Sequence, residues 1–108
     1  VRQYSADEMD YYGFRIDKST LGSFGHLIVG SGTIKYDFVG SNFLLYSRNM
    51  NDCRLRVNID GVTSEVEIKG NKNIIPTVLA NNLNNGKHYI EIQVLSGMLG
   101  VDSFGIFN

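Results

Sequence analysis

Hydrophobic and polar residues alternate along several stretches of the chain. Leu55, Val57 and Ile59 interleave with Arg54, Arg56 and Asn58, and the same alternation marks Ile34–Tyr46 and Gly86–Val94. A period of two places successive side chains on opposite faces of a β-strand, so each stretch reads as a strand with one wet and one buried face. The pattern predicts strands over Phe14–Ile16, His26–Val29, Thr33–Val39, Phe43–Ser47, Arg54–Ile59, Ser64–Lys69, Ile74–Leu79, Lys87–Leu95 and Val101–Phe107. Gly, Asn, Asp and Ser clusters separate them. Residues 1–13 are polar, acidic and aromatic without a period, and read as a leading arm or first edge strand. No segment sustains a 3.6-residue period. Short strands at this spacing predict an all-β chain, an antiparallel two-sheet β-sandwich or jelly roll rather than a sheet with helices.

Parity then assigns a core: Ile34, Tyr36, Phe38, Leu55, Val57, Ile59, Val66, Ile68, Ile90, Ile92, Val94, Phe104 and Ile106. Asp60-Gly61 lies between two alternating runs and supplies the positive φ that hairpin turns require. If consecutive strands run antiparallel, residues 30–32, 48–53, 70–73 and 96–100 gather at one end, and 40–42, 60–63 and 80–86 at the other. Binding residues in sandwiches sit on loops framed by the sheets, which limits where a site is sought.

At 108 residues the chain reads as one domain, 1–108, large enough for a core without staples. Its first residue is Val, which reads as a domain cut from a longer protein. The 43% hydrophobic and 19% charged composition is that of a globular domain. A formal net charge of −1 with scattered basic residues argues against nucleic acid as a partner. No apolar stretch reaches membrane-spanning length, so no membrane insertion is expected. The single cysteine, Cys53, reads as a buried small residue, because no neighbouring His or Cys would activate it.

Few residues carry recognisable chemistry. His88 shares the parity of Ile90 and Ile92 and reads as a hydrogen-bonded structural histidine; His26 opens a strand beside Gly25 and reads as structural or exposed. Glu65 and Glu67 share one strand face about 7 Å apart, a spacing met in paired-carboxylate glycosidases, but they read as a solvated face. Asp7, Glu8 and Asp10 could place oxygens around a structural Ca²⁺. Their spacing is not that of a calcium loop, so they read as surface charge and no cofactor is expected. The serine-hydrolase elbow, phosphate loop, zinc-helix and paired-cysteine motifs are all absent from the sequence. What remains is recognition chemistry. Arg48, Asn49, Asn51 and Asp52 lie in one loop and Asn71, Lys72 and Asn73 in another at the same end, with the paired donors and acceptors that vicinal hydroxyls need. Tyr11, Tyr12, Phe24 and Tyr89 offer aromatic faces for sugar rings, although Trp is missing.

The runs Phe38-Val-Gly-Ser-Asn-Phe-Leu-Leu-Tyr46, Val57-Asn-Ile-Asp-Gly61, Leu83-Asn-Asn-Gly-Lys-His88 and Val101-Asp-Ser-Phe104 together resemble the galactose-binding-like jelly rolls. Such domains occur among carbohydrate-binding modules, as the N-terminal jelly roll of family-2 carbohydrate esterases, and as accessory domains of bacteriophage tail and baseplate proteins. The matching positions Gly40, Asp60, Gly61, Gly86 and His88 are turns and core, so the resemblance implies the fold and no chemistry.

The resulting expectation is a non-catalytic carbohydrate-binding-like module that attaches a larger extracellular or phage tail protein to a glycan or cell-wall surface. Tyr11, Tyr12, Arg48, Asn49, Asn51, Asp52 and Asn73 are its expected ligand residues, and the location is extracellular or virion-associated. The alternative is a structural accessory domain that packs on other domains of the parent protein and binds no sugar.

Overall fold

The computed structural model describes residues 2–108. A short strand β1 (Arg2–Ser5) and one 3₁₀ turn (Ala6–Glu8) precede β2 (Asp10–Gly22), β3 (Gly25–Gly40), β4 (Asn42–Asn49), β5 (Cys53–Ile59), β6 (Val62–Ile68), β7 (Asn71–Ala80), β8 (Gly86–Ser96) and β9 (Leu99–Phe107). All pairings are antiparallel and follow the order β6-β5-β8-β3-β9-β4-β7, with β1 on β9 and β2 on β3.

One hydrogen-bonded ladder becomes two layers at β3. Its second half, Thr33–Gly40, pairs with β8, whereas Ile28–Gly30 pairs with β9. Strands β8 and β9, joined through residues 97–98, follow one another along β3 and both run antiparallel to it. β3 bends from one layer to the other across Gly30-Ser31-Gly32, with Gly30 opposite Leu99 of β9 and Thr33 opposite Gln93 of β8. There β2 carries Gly13 at φ +82 and a register shift between Tyr12 and Phe14. A Cβ on Gly32 would overlap the Tyr12 carbonyl, and one on Gly30 the Gly13 carbonyl. The glycines thus allow the β2–β3 hairpin to cross from one layer to the other. Sequence punctuation at 30–32, expected to end a strand, marks this bend inside one continuous strand. The expected separate strands His26–Val29 and Thr33–Val39 merge, and the leading arm supplies β1.

Between the layers lies one buried cluster. Every residue assigned to the core by parity is buried or packs against that cluster. Phe104 is fully buried at its centre, with Phe43 stacked 5.5 Å and Tyr4 5.2 Å away and the edge of Tyr36 at 5.0 Å. The second layer adds Phe43, Leu45, Leu99 and Val101. Cys53 is buried, and burial pushes its thiol pKa up, as expected of an unreactive cysteine. Asp60 (φ +51) and Gly61 (φ +91) form the β5–β6 turn. The fold is an antiparallel jelly-roll sandwich.

Asp102 is an unexpected buried residue on β9. It sits where the β4–β9 register slips between Tyr46 and Ser47, and this bulge turns its carboxylate aside from the core. The buried carboxylate accepts the Ser23 N–H at 2.6 Å and the Ser103 hydroxyl at 2.7 Å, while Ser103 Oγ accepts from Gln3. The tip of the β2–β3 hairpin is thereby fastened to β9. Among the described residues, every buried side-chain polar atom has a partner.

Candidate functional site

Beyond the bend, the ladder aligns Arg15 with Val29 and Val29 with Gly100. The next strand brings Arg48, which follows Ser47 opposite Val101 and whose carbonyl lies against Gly100. Ile28 and Val101 enter the core, so by strand parity this row faces away from it. Here the crossing hairpin and the loop end enclose a cleft of about 630 Å³. Leu27, Val29 and Gly100 line it from β3 and β9, and Arg15, Asp17 and Thr20 from β2. Arg48, Met50, Asn51, Asn71, Lys72, Gly97 and Met98 line the remainder.

Two of the expected ligand residues, Arg48 and Asn51, are exposed and line this cleft. Asn49 borders it but faces inward at 3% exposure, because β4 extends through it on the parity of Phe43, Leu45 and Ser47. Its Oδ1 accepts the Gly100 N–H at 2.8 Å, and its Nδ2 donates to Ser47 Oγ at 3.2 Å. Asp52 lies outside the cleft lining and joins two loops. It accepts the Gly70 N–H at 2.8 Å, and Lys69 Nζ stands 3.4 Å away. The Gly70 hydrogen bond is the main cause of its lowered carboxyl pKa. Asn73 does not line the cleft either; its N–H is accepted by Asn71 Oδ1, in a local turn that shapes the rim.

The tyrosines stand elsewhere, which corrects the expectation of an aromatic wall. Tyr11 packs on the core and donates its hydroxyl to the Ala6 carbonyl at 2.6 Å, clamping the leading arm; burial is the main cause of its raised pKa. Tyr12 is exposed, with Lys35 Nζ 5.4 Å from its ring centre. It precedes the Gly13 bend and Arg15 follows it, so the bend leaves Tyr12 in the other layer. The contribution of β2 to the cleft was not read from sequence. The available signal was Gly13 together with Gly30 and Gly32, glycines inside strand patterns that mark a close backbone crossing.

Other candidate chemistry is committed to the fold. Glu65 meets Arg54 at 2.6 Å and Glu67 meets Lys69 at 3.0 Å, so neither carboxylate of that pair is free. Among the described residues no three His, Cys, Asp or Glu side chains converge on a metal-sized point, and Asp7, Glu8 and Asp10 do not form such a group. His26 is exposed near the hairpin tip, opposite Leu21. At the far end, His88 Nδ1 lies 2.5 Å from Asp60 Oδ2 and Nε2 lies 2.6 Å from the Asn84 carbonyl, with Phe38 against the ring. Asp60 Oδ1 accepts the Tyr89 N–H at 2.8 Å. The imidazolium satisfies both partners, and its pKa is raised, first by the Asn84 carbonyl and then by Asp60. The Asp60 carboxyl pKa is lowered, first by the Tyr89 N–H and then by His88.

These groups border a second depression of about 720 Å³ with Tyr4, Tyr36, Lys87 and Tyr89. The polar atoms of Asp60 and His88 there are already used. In the first cleft, Arg15, Arg48 and Lys72 take no part in the ion pairs among the described residues. The one carboxylate there, Asp17, accepts from the Ser19 hydroxyl at 2.6 Å, the Ser19 N–H at 2.9 Å and the Thr20 hydroxyl at 3.2 Å. Those bonds, led by the Ser19 hydroxyl, lower its pKa.

No family model matches the chain, and no curated protein matches it. Solved structures do. The family two carbohydrate esterase from Clostridium thermocellum, in complex with cellohexaose, superposes with TM-score 0.71 at 16% identity over 91% of this chain. A Podospora anserina GH26-CBM35 β-(1,4)-mannanase gives 0.74 at 20% identity over 95%. The chain spans only 30% and 26% of those two proteins. The CBM36-1 domain of a multidomain xylanase, from the hindgut metagenome of Trinervitermes trinervoides, gives 0.66 at 18% identity over 95% of this chain and 93% of its own length. The shared fold is a jelly-roll sandwich.

Proposed function

We propose that the chain is a non-catalytic carbohydrate-binding module that attaches a larger secreted protein to a glycan surface and holds the sugar in the cleft beside Arg48. The observation that carries this reading is a preformed groove whose ladder row sets Arg15 and Arg48 on either side of Val29 and Gly100. Arg48 and Asn51 meet sugar hydroxyls. Asn49 and Asp52 act behind them, one fixing β9 under the groove and the other joining loops 50–52 and 69–70. Commitment of the only cleft carboxylate to Ser19 and Thr20 supports binding over catalysis. A small sugar contacts few side chains, so the dissociation constant is about 10⁻⁵ to 10⁻³ M.

A glycan array followed by calorimetry tests this. Binding that falls in Arg48→Ala and Asn51→Ala while melting is unchanged supports it. Retention of no glycan overturns it. A second reading, a module packed on a neighbouring domain, draws support from Leu21 and Phe24, exposed by 73% and 51% at the hairpin tip. Leu21→Ser weakening association with the rest of the parent protein, with glycan binding absent, would establish that reading instead.

A further inference from the structure

The charge of the cleft points to a narrower class of ligand than its shape does. The chain as a whole carries a formal net charge of −1, yet three cations, Arg15, Arg48 and Lys72, line this one cleft against a single carboxylate. That carboxylate, Asp17, is held by Ser19 and Thr20. Among the described residues only Arg54 and Lys69 of the Lys and Arg side chains form ion pairs, with Glu65, Asp52 and Glu67; Arg2, Lys18, Lys35, Arg56 and Lys87 are unpaired as well, so the cleft is set apart by the grouping of its three cations. The cleft cations take part in none of these pairs.

The lining also lacks aromatic side chains. Its apolar contacts come from Leu27, Val29, Met50 and Met98. A neutral sugar gains much of its affinity by laying an apolar ring face on an aromatic plane, and this cleft offers none. Charged hydrogen bonds must supply what stacking does not. Arginine is suited to that task, because its planar guanidinium presents a fork of donors matching the two oxygens of an acidic group. Three ladder steps separate β2 from β4, which places the Arg15 and Arg48 backbones about 14 Å apart, and both side chains can reach toward a chain lying over Gly100.

We infer that the ligand is an anionic glycan whose carboxylate or sulfate groups are held by Arg15 and Arg48, with Lys72 adding charge at the rim. The inference rests on the glycan-binding reading and narrows it.

Titration calorimetry with oligogalacturonate, the neutral galactose oligomer of equal length and its sulfated counterpart tests it, with polyglutamate as a sugar-free anion. The acidic oligomers should bind about 10-fold or more tightly than the neutral one. Added salt should weaken binding, Arg15→Gln and Arg48→Gln should each lose about 10-fold or more, and polyglutamate should not compete. Stronger binding of oligogalacturonate or of the sulfated oligomer identifies which acid the fork receives. Equal binding of the neutral oligomer, unaffected by salt and by Arg15→Gln but lost in Arg48→Ala and Asn51→Ala, overturns the inference and leaves the glycan reading standing. Competition by polyglutamate at equal strength also overturns it, as undirected charge attraction. Binding of no sugar, acidic or neutral, removes the glycan reading itself.

Discussion

Replacing Asn49 by alanine separates the two roles that a loop asparagine can play. The wild-type amide is 3% exposed, accepts the Gly100 N–H at 2.8 Å and donates to Ser47 Oγ at 3.2 Å. Alanine leaves the Gly100 donor without its partner inside the protein, which costs about 1–3 kcal/mol, whereas the Ser47 hydroxyl can rotate toward another acceptor. For a domain of this size the melting temperature should fall by roughly 4–8 °C for each kcal/mol lost. Asn51→Ala is the matched control, two residues along and exposed in the cleft. Its stability should stay within about 0.5 kcal/mol of the parent, while its glycan affinity falls. Urea unfolding followed by circular dichroism, with thermal melts in parallel, measures both variants; tyrosine emission is a second probe because the chain contains no Trp. If Asn49→Ala unfolds at the parent midpoint yet loses binding, the amide faces ligand and the geometry derived for β4 is wrong.

Three further outcomes follow from the same framework. The Asp60–His88 clamp stabilises most between about pH 4 and 6.5: Asp60, with a lowered pKa, loses its contribution as pH falls through its folded value, and His88, with a raised pKa, loses its contribution as pH rises through its own. His88→Gln should flatten the alkaline side of that profile in pH-dependent melts, and an unchanged profile would remove the clamp. Phe104→Ala, at the centre of the aromatic stack, should destabilise by about 3–5 kcal/mol in urea unfolding. Gly32→Ala should destabilise by about 1–3 kcal/mol or more, because its Cβ meets the Tyr12 carbonyl at the crossing; a neutral effect in thermal melts would contradict the bend.

The sandwich was legible because alternation is a local signal and one face of most strands is buried. Leu55, Val57, Ile90 and Ile92 follow from parity alone, and Asp60-Gly61 follows from turn chemistry. The loop end was legible for the same reason, since a count of strands places residues 48–53 beside 70–73. Two features were not. The crossing of β2–β3 depends on which distant strand each half of β3 pairs with; Gly13, Gly30 and Gly32 mark where the backbones cross but not those partners. Without the crossing, Arg15 and Asp17 had no reason to join the cleft, and Tyr12 had no reason to leave it. Asn49 was misread for a different cause: its polarity suggested a loop, while its parity with Phe43, Leu45 and Ser47 already placed it inside. Asp102 is hidden by a bulge, which shifts parity by one residue and defeats period-two reading.

The proposed glycan lies across the second layer beside Arg48. Titration of isotope-labelled protein with the best array glycan, followed by amide chemical shifts, tests it most directly. The shifts should concentrate at Arg15, Val29, Arg48, Asn51, Lys72, Met98 and Gly100. Shifts gathered instead at Tyr4, Tyr36, His88 and Tyr89, around the opposite depression, would contradict it.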